Sequence, residues 1–247
     1  MIRTAWHDRV ALLTIDRPER RNALDTEHCR LLLEAVTGVA GAGARVVVIT
    51  GEGPAFCAGA DLRGLYSEDF RLSLRALLDG IPALAQPVIA AVNGPALGAG
   101  TELASAADLR VVAAGARFGI PAARLGLAIH ERTVRRLVRL MGESTARSVL
   151  LAAEEIDAEA AHRLGYAHRR GGLDEALAWA SQIAALAPLS IRAHKRALER
   201  VAGDPTGEDP ELAALIRAAW ESEDFSEGVA AFRERRLPRF RGEGAEP

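Results

Sequence analysis

The sequence predicts an α/β fold in which short buried strands alternate with helices before a mainly helical C-terminal part. Three apolar segments rich in β-branched residues, at 10–15, 45–50 and 87–92, have the length of single buried strands. Each one ends at glycine, proline or polar residues, where chains turn. Strands and helices that alternate in this way form layered α/β folds, and the functional residues of such folds lie where the strands end.

The first half of the chain follows this alternation element by element. The strand at 10–15 enters a polar loop, and a helix is expected from Asp25, whose carboxylate can accept a hydrogen bond from the free N–H groups of the first turn. Apolar residues then recur at helical spacing until the glycines of 38–43 interrupt the pattern. Residues 108–113 supply a further strand.

Beyond Arg132 the pattern becomes helical, and Pro188, Gly203 and Pro205 separate the helices. Segments with this spacing lie at 134–140, 150–156, 176–186 and 191–201. Phe225, Phe232 and Phe240 are apolar anchors in charged surroundings, which suits packing on the core or on a neighbouring subunit. We expect the tail 242–247 to be disordered.

Composition restricts the class of protein. The chain has 247 residues, 49% of them apolar, which suits one enzyme-sized domain. A net charge of −2 without a long basic block favours neither nucleic acid nor an anionic membrane as partner. The N-terminus lacks a signal-peptide pattern, and no apolar run reaches the roughly 18 residues of a membrane span, so we expect a cytoplasmic protein.

The two cysteines, Cys29 and Cys57, predict neither a disulfide nor a zinc site, because they form no C-x-x-C motif and no paired framework. A reducing compartment fits this usage. We also expect no metal site elsewhere in the chain.

Two stretches of small residues, 56–62 and 93–102, suggest an oxyanion hole, because each places small residues beside a turn where backbone N–H groups can point at an oxygen. In the second stretch, Gly98-Ala99-Gly100 precedes a helical segment, and unpaired N–H groups at a helix N-terminus favour an anionic oxygen. The alternative for the first stretch is an ordinary loop in which Asp61 caps a helix and Cys57 is a small buried side chain.

Glu102 is the best candidate for an acid/base residue. It lies three residues after Ala99, so a helix would place its carboxylate on roughly the same face. The alternative is that Glu102 only stabilises the first helical turn through the helix dipole. The glycines at 94, 98 and 100 do not form the dinucleotide-binding pattern, and the P-loop and G-x-S-x-G signatures do not occur.

Four motifs resemble those of the crotonase, or enoyl-CoA hydratase/isomerase, superfamily in their usual order. They lie at 17–24, 56–62, 93–104 and 118–121. The resemblance extends from about Val10 to the basic segment 232–236. It implies an α/β fold with a crotonase-like ββα spiral core over residues 1–190 and a C-terminal helical trimerisation region over residues 191–247.

The resemblance also implies the ligand and the assembly. The expected substrate is an acyl-CoA or enoyl-CoA thioester, and no separate cofactor is expected because coenzyme A is part of the substrate. The expected assembly is a homotrimer or a hexamer. Within the site, the N–H groups of Ala60 and Ala99 would hold the thioester oxygen while Glu102 transfers a proton.

The remaining implied residues would bind coenzyme A. The main chain from Ala58 through Asp61 to Leu62 would contact the adenine and the pantetheine. The candidates for the phosphates are Arg20 or Arg21, Arg63, and Arg235 from a neighbouring subunit. Arginine suits phosphate because its guanidinium presents a fork of donors, and the alternative for each is a solvated surface side chain.

The chain departs from the family pattern at two places. Hydratases of this family carry a second glutamate directly after the proline of Phe-Gly-x-Pro, where this chain has Ala122. One general acid/base contributes about 10²–10⁴-fold, so efficient two-carboxylate hydration is in doubt. The segment 127–133 replaces a glycine-rich stretch, and His130 or Glu131 could enter the site as a substitute; the alternative for both is a helix cap or a surface group.

Three hypotheses remain open at this point. The leading one is hydration or double-bond isomerisation of an enoyl-CoA by Glu102 under the oxyanion hole. A second is decarboxylation or hydrolysis of an acyl-CoA through the same enolate, which no residue singles out. The third is a protein that binds acyl-CoA with little or no turnover, which Ala122 and the altered 127–133 segment favour.

Overall fold

The computed structural model describes residues 1–61, 67–203 and 209–242. Its strands are β1 (Ile2–His7), β2 (Val10–Ile15), β3 (Val46–Gly51), β4 (Val88–Val92), β5 (Ala96–Leu97), β6 (Leu109–Val112), β7 (Arg117–Gly119), β8 (Glu155–Asp157) and β9 (Arg169–Arg170). Its α-helices are α1 (Thr26–Gly41), α2 (Glu68–Ala83), α3 (Ala99–Ala106), α4 (Glu131–Met141), α5 (Glu143–Leu151), α6 (Ala158–Arg163), α7 (Leu173–Ala184), α8 (Pro188–Ala202), α9 (Pro210–Trp220) and α10 (Glu223–Glu234). Short 3-10 turns lie at Pro18–Arg20 and Pro121–Leu125.

A six-stranded sheet, in the order β1-β2-β3-β4-β6-β9, forms the centre of the protein. The first pair of strands is antiparallel and every later pair is parallel. The strands β2, β3 and β4 are buried along nearly their whole length. A parallel sheet covered on both faces requires such continuous apolar runs, which is why the sequence predicted these strands and the α/β class correctly.

Helices cover both faces of this sheet. Val47 and Ile49 of β3 belong to one apolar cluster with residues of α1 and α2, whereas Val46 and Val48 belong to a second cluster with Ala176 of α7. The alternation follows from the period of two along a strand. The predicted cap of α1 is confirmed, because Asp25 Oδ1 accepts a hydrogen bond from the backbone N–H of the third helical residue at 2.9 Å.

Two expectations about secondary structure need correction. Ile156, which we assigned to a helical segment, lies in β8, the edge of a small sheet in the order β5-β7-β8. The strand β1 was not predicted, because all but the first of its residues are exposed and leave no buried apolar run. Neither element carries a buried apolar run of its own: β1 is held by its hairpin pairing with β2, and β8 by its pairing with β7.

The C-terminal helices are tied to the core through α8. Lys195 is only 6% exposed, and its ammonium group donates to Asp108 Oδ2 at 2.7 Å and to the backbone oxygen of Gln86 at 2.8 Å. The proposed division at 190/191 falls inside this helix and stays a prediction. Most of the tail expected to be disordered, 243–247, lies outside the described residues.

The helices α9 and α10 leave apolar side chains uncovered. Trp220 is 65% exposed and Phe232 is 86% exposed, and Phe225, which packs against Trp220, is 45% exposed. No helix within the described ranges combines the length and the apolar character that crossing a bilayer requires.

Candidate active site

The two stretches of small residues lie side by side. Cys57 and Ala96 form a parallel bridge, and the Cys57 oxygen accepts a hydrogen bond from the Leu97 N–H at 3.0 Å. The Pro95 oxygen accepts from the N–H groups of Phe56 and Cys57 at 3.1 and 3.2 Å. The two segments therefore run in the same direction and turn at the same level, so their turns become neighbours.

Gly59 lets the two turns approach each other. Its φ is +109°, and a Cβ atom built there would lie 2.9 Å from the Leu97 oxygen and 3.7 Å from the Ala99 nitrogen. Both the positive φ and the lack of space require glycine at this position. The backbone next to Ala60 is thus in near contact with the backbone at Ala99.

The N–H of Ala60 is directed away from its neighbouring strand segment. Leu24 donates to the Gly59 oxygen at 2.8 Å and accepts from the Asp61 N–H at 2.7 Å. In a parallel ladder the residue between two such partners directs its own N–H and C=O to the opposite side. Because Leu24 engages both neighbours, the Ala60 N–H is left for a partner on that opposite side.

The N–H of Ala99 is unpaired for a different reason. The helix α3 begins at Ala99, two residues before the start we expected, with Gly98 as the N-cap residue. Its first helical hydrogen bond runs from the Glu102 N–H to the Gly98 oxygen at 3.1 Å. The N–H groups before Glu102 have no partner inside the helix, and they lie at its positive end.

Glu102 is a buried carboxyl on the first turn of α3, only 8% exposed. The Thr133 hydroxyl, on α4, donates to its Oε1 at 2.9 Å. Burial raises the pKa of Glu102 above its ordinary value, while the Thr133 hydrogen bond and the charge of Arg136 act in the opposite direction. A carboxyl with a raised pKa beside free N–H donors is a candidate acid/base group.

His130 and Glu131 make local contacts at the start of α4. His130 is the N-cap residue, and its Nδ1 accepts from the Arg132 N–H at 3.2 Å. Glu131 Oε1 accepts from Arg135 Nη2 at 2.8 Å, and both predicted substitutes are exposed. These contacts match the cap and surface alternatives. In the part of the chain that the structure describes, the polar side chain that reaches Glu102 is Thr133.

Ala122 occupies the 3-10 turn at Pro121–Leu125, half-buried and packed against the main apolar cluster. Its methyl group has no proton to exchange. Position 122, where the family resemblance leads one to expect a second glutamate, therefore adds no titratable group.

The residues expected to bind coenzyme A differ in their settings. Ala58 is exposed and its N–H donates to the Arg21 oxygen at 2.9 Å. Arg20 is exposed in the first 3-10 turn, and Arg235 is exposed at the end of α10. Leu62 and Arg63 lie outside the described residues.

Arg17 is a functional candidate that sequence reasoning missed. Its guanidinium donates to Asp61 Oδ2 at 3.0 Å and pairs with Asp25 Oδ2 at 3.1 Å. Through these two contacts Arg17 connects the loop that carries Ala60 to the start of α1, so the Asp61 carboxylate has a structural role. Arg17 opens one of the four motifs, which was the available signal.

Two cavities have linings that include none of Ala60, Ala99 and Glu102. One, of about 550 Å³, is lined by α8, α9 and α10, and another, of about 720 Å³, lies between α4 and α8 and reaches α2 and the end of α3. Among the described residues, no group of three His, Cys, Asp or Glu side chains is placed to hold a metal ion. The backbone geometry at Ala60 and Ala99, rather than cavity size, marks the site.

The family model of enoyl-CoA hydratase/isomerase matches residues 6–243. The chain belongs to the enoyl-CoA hydratase/isomerase family. This match confirms the predicted membership of a family of hydratases and isomerases.

Curated relatives in the family match nearly the whole chain. A probable enoyl-CoA hydratase, echA6, from Mycobacterium tuberculosis is 44% identical over 237 residues, which cover 94% of this chain and 96% of the relative. The 2,3-dehydroadipyl-CoA hydratase of Escherichia coli is 37% identical over 250 residues, covering 95% and 96%.

Solved structures of the family share the fold. An enoyl-CoA hydratase/carnithine racemase from Magnetospirillum magneticum superposes with a TM-score of 0.90 at 33% identity, covering 98% of this chain and 96% of that chain. An enoyl-CoA hydratase from Mycobacterium tuberculosis H37Rv gives 0.86 at 34% identity, covering 98% and 99%. These similarities confirm the predicted crotonase-like core with a helical C-terminal region.

Proposed function

We propose that the chain acts on an enoyl-CoA thioester by proton transfer at Glu102, with the N–H groups of Ala60 and Ala99 holding the thioester oxygen. One observation carries the proposal: two adjacent turns leave these N–H groups unpaired beside the helix turn that bears a buried carboxyl. Family membership supports the substrate class. Coenzyme A enters as part of the substrate, so the reaction needs no separate cofactor.

The chemistry follows from these three groups. The Glu102 carboxylate removes a proton from the α-carbon of a 3-enoyl thioester, and the electron pair moves onto the thioester oxygen as a dienolate. The two N–H donors stabilise the negative charge where it develops. Glu102 then returns the proton to the γ-carbon, which moves the double bond and regenerates the carboxylate. Substrate and product are isomers, so no co-reactant is consumed.

Hydration places greater demands on the site than isomerisation. Water must lose a proton as its oxygen adds to the β-carbon, while the α-carbon gains one. Ala122 supplies no second group for these transfers, and a missing acid/base costs about 10²–10⁴-fold in rate. The proposal therefore favours isomerisation over hydration.

A second candidate function is acyl-CoA binding with little or no turnover. Its support is the pair of local contacts that engage His130 and Glu131, together with the alanine at 122. Under this reading the oxyanion hole retains a ligand that Glu102 alone does not convert efficiently.

The test compares turnover with binding in the same preparations. We would follow isomerisation of 3-enoyl-CoA and hydration of trans-2-enoyl-CoA over short and long chains, and measure saturated acyl-CoA affinity by calorimetry. The variants are Glu102→Gln, Ala122→Glu and a matched control, Ala123→Glu, which adds the same charge at an exposed position of the same 3-10 turn.

The outcomes separate the two candidates. We expect Glu102→Gln to lose activity while keeping acyl-CoA affinity within about threefold, and Ala122→Glu but not Ala123→Glu to raise hydration. Tight binding by the wild type without turnover on any chain length would establish the binding candidate instead. Failure to bind any acyl-CoA would refute both.

We propose a homotrimer, or a hexamer built from two trimers, in which α9 and α10 contact a neighbouring subunit. The exposure of Trp220 and Phe232 supports this, because contiguous exposed apolar surface indicates a covered interface. In that assembly Arg235 of a neighbour would join Arg20 and Arg63 at the coenzyme A phosphates. Phe232→Glu should yield monomers in light scattering, whereas Leu151→Glu, at a position of α5 that is 75% exposed, should not.

We also propose that the protein is cytoplasmic. Cys29 and Cys57 are buried free thiols, and burial raises the pKa of each to about 12. Such thiols are unreactive and suit a reducing compartment. Cell fractionation with an antibody against the chain tests this.

A further inference from the structure

Thr133 makes an unusual contact for a residue in the first turn of a helix. It lies three residues after the N-cap of α4 and is 7% exposed. Threonine hydroxyls in helices commonly bond to a carbonyl oxygen of the preceding turn. Here the hydroxyl instead crosses to another helix and donates to Glu102 Oε1 at 2.9 Å, 31 residues earlier in the chain.

Capping does not explain the hydroxyl. His130 Nδ1 already caps α4 by accepting from the Arg132 N–H, and the backbone N–H of Thr133 donates to the His130 oxygen at 2.9 Å. The buried hydroxyl therefore does not serve as a helix cap, and it donates its hydrogen bond to the Glu102 carboxylate. An ionised carboxylate can only accept, so Thr133 is the donor.

The contact leaves the two carboxylate oxygens of Glu102 in different positions. Oε1 is held by Thr133, whereas no group in the described ranges hydrogen-bonds to Oε2. A carboxylate anchored through one oxygen keeps its side-chain rotamer and presents the other oxygen in a fixed direction. General base catalysis depends on such placement, since the base must lie within hydrogen-bond reach of the proton that it removes.

Few charged side chains of the described residues act on Glu102, so the hydrogen bond from the Thr133 hydroxyl should have a measurable effect on its pKa. Arg136, one turn later on α4, is the charged side chain whose field reaches Glu102. From α2, which also packs on α3, Asp79 pairs with Arg132 at 2.7 Å. The strand β5, Ala96–Leu97, brings no titratable side chain.

We propose that Thr133 is a positioning residue for Glu102: its hydroxyl holds Oε1 so that Oε2 performs the proton transfer. This rests on the proposed function of Glu102 as the base. It also accounts for a departure from the family pattern, because Thr133 lies in the 127–133 segment that replaces a glycine-rich stretch.

The test compares Thr133→Val, which removes the hydroxyl at nearly constant shape, with Thr133→Ser, which keeps it. We expect Thr133→Val to lower kcat about 10–100-fold, the loss that corresponds to one hydrogen bond to a charged group. KM should change less than about threefold, because the proposed role of the hydroxyl is to hold Glu102 rather than to bind substrate. Thr133→Ser should stay within about threefold of the wild type.

The pH profile supplies a readout that a purely structural role would not move. Glu102 must be ionised to act as a base, so activity rises as pH passes its pKa. Losing the hydroxyl removes a group that favours the ionised form, so the acid limb of Thr133→Val should move to higher pH by about one unit. Nuclear magnetic resonance of ¹³C-labelled glutamate, assigned with Glu102→Gln, measures the same pKa shift without substrate.

The two readouts separate failure of this inference from failure of the proposed function. Unchanged kcat and an unchanged Glu102 titration in Thr133→Val would overturn the role of Thr133 while leaving Glu102 as the base. A wild type that binds acyl-CoA without turnover would overturn the proposed function. The titration then decides alone: a raised pKa upholds the Thr133 contact, and an unchanged one refutes it.

Discussion

Replacing Ala99 with proline would remove one of the two proposed oxyanion donors and leave the start of α3 intact. The Ala99 nitrogen is the first of α3, with no hydrogen bond inside the helix, and the first helical position is the one that proline favours. Gly98, before it, has φ +52° and ψ −121°, a positive-φ conformation that glycine adopts readily and that lies outside the α region disfavoured ahead of proline. We therefore expect Ala99→Pro to fold while its ring takes the place of the N–H.

The magnitude follows from the number of donors. The proposed oxyanion hole has two donors, at Ala60 and Ala99, and removing one donor from such a site costs about 2.7–4 kcal/mol of transition-state stabilisation, or about 10²–10³ in kcat. The ground state loses less, since a neutral carbonyl hydrogen bond contributes about 0.5–1.5 kcal/mol. The affinity for the acyl-CoA thioester should consequently fall by only about 2–10-fold, whereas kcat should fall by about 10²–10³-fold.

A matched control is available in the same chain. The helix α5 also begins after a glycine with positive φ, Gly142, so Glu143→Pro places proline at an equivalent position far from the site. Isomerase kinetics, thermal unfolding and calorimetry with an acyl-CoA thioester and its thioether analogue, which lacks the carbonyl, complete the assay. Glu143→Pro should match the wild type in kinetics and affinity, and its melting temperature should fall only by the small contribution of the exposed Glu143–Arg147 pair.

Three results would refute the reasoning. A kcat for Ala99→Pro within about threefold of the wild type would show that the Ala99 N–H does not hold the developing charge. A drop in melting temperature much larger than that of Glu143→Pro would show that the nitrogen serves the fold. In a protein without turnover, an unaltered preference for thioester over thioether would exclude Ala99 from carbonyl binding.

Three further predictions concern stability. Lys195→Met should lower the free energy of unfolding by about 1–3 kcal/mol in urea, because it removes the buried ammonium partner of Asp108, a carboxylate that is 21% exposed and keeps its hydrogen bond from the Val88 N–H at 2.7 Å. The exposed neighbour change Arg196→Met should cost about 1 kcal/mol or less. His168, whose pKa burial lowers from 6.5 to about 4, favours the neutral form in the fold. The contribution of neutral His168 to the free energy of unfolding should be fully present above pH 6.5 and be lost as the pH falls toward 4. This loss should be smaller in His168→Asn. Equal pH profiles of stability in the two proteins would contradict a lowered pKa for His168. Gly59→Ala should lower the free energy of unfolding by about 1–3 kcal/mol because of its positive φ, and it should also lower activity. Gly41→Ala, at the C-terminal end of α1 with no atom near the added methyl, should change the free energy of unfolding by no more than about 0.5 kcal/mol. Equal effects of the two changes would contradict the claim that position 59 requires glycine.

The sequence predicted the elements that are stabilised by burial. Residues 88–92 are apolar throughout and lie inside a parallel sheet, so composition alone indicates a strand. The helix α1 was placed correctly at its start by Asp25, but it continues through Gly38 because that glycine is exposed and its cost is small. The strand β1 escaped detection because its stability comes from pairing with β2.

The site shows the same division. The glycines and the order of the motifs indicated the turns at 59–60 and 98–99, because a positive φ or a close approach of two backbone segments favours glycine at that position. The contact between Thr133 and Glu102 left none, since it joins two helices 31 residues apart and either residue alone is compatible with many environments. Whether His130 would cap a helix or face the ligand also depended on where α4 begins.

Leu24 clamps the backbone on both sides of Ala60 without any side-chain chemistry. A donor fixed in this way is insensitive to point mutation, since almost every residue other than proline keeps an N–H at position 60. Sequence divergence can therefore change the side chains around the proposed oxyanion site, one at a time, without removing its backbone donor. The same property makes the scaffold suitable for engineering, because a new acid or base can be introduced at position 122 while the proposed anion site keeps its backbone donors.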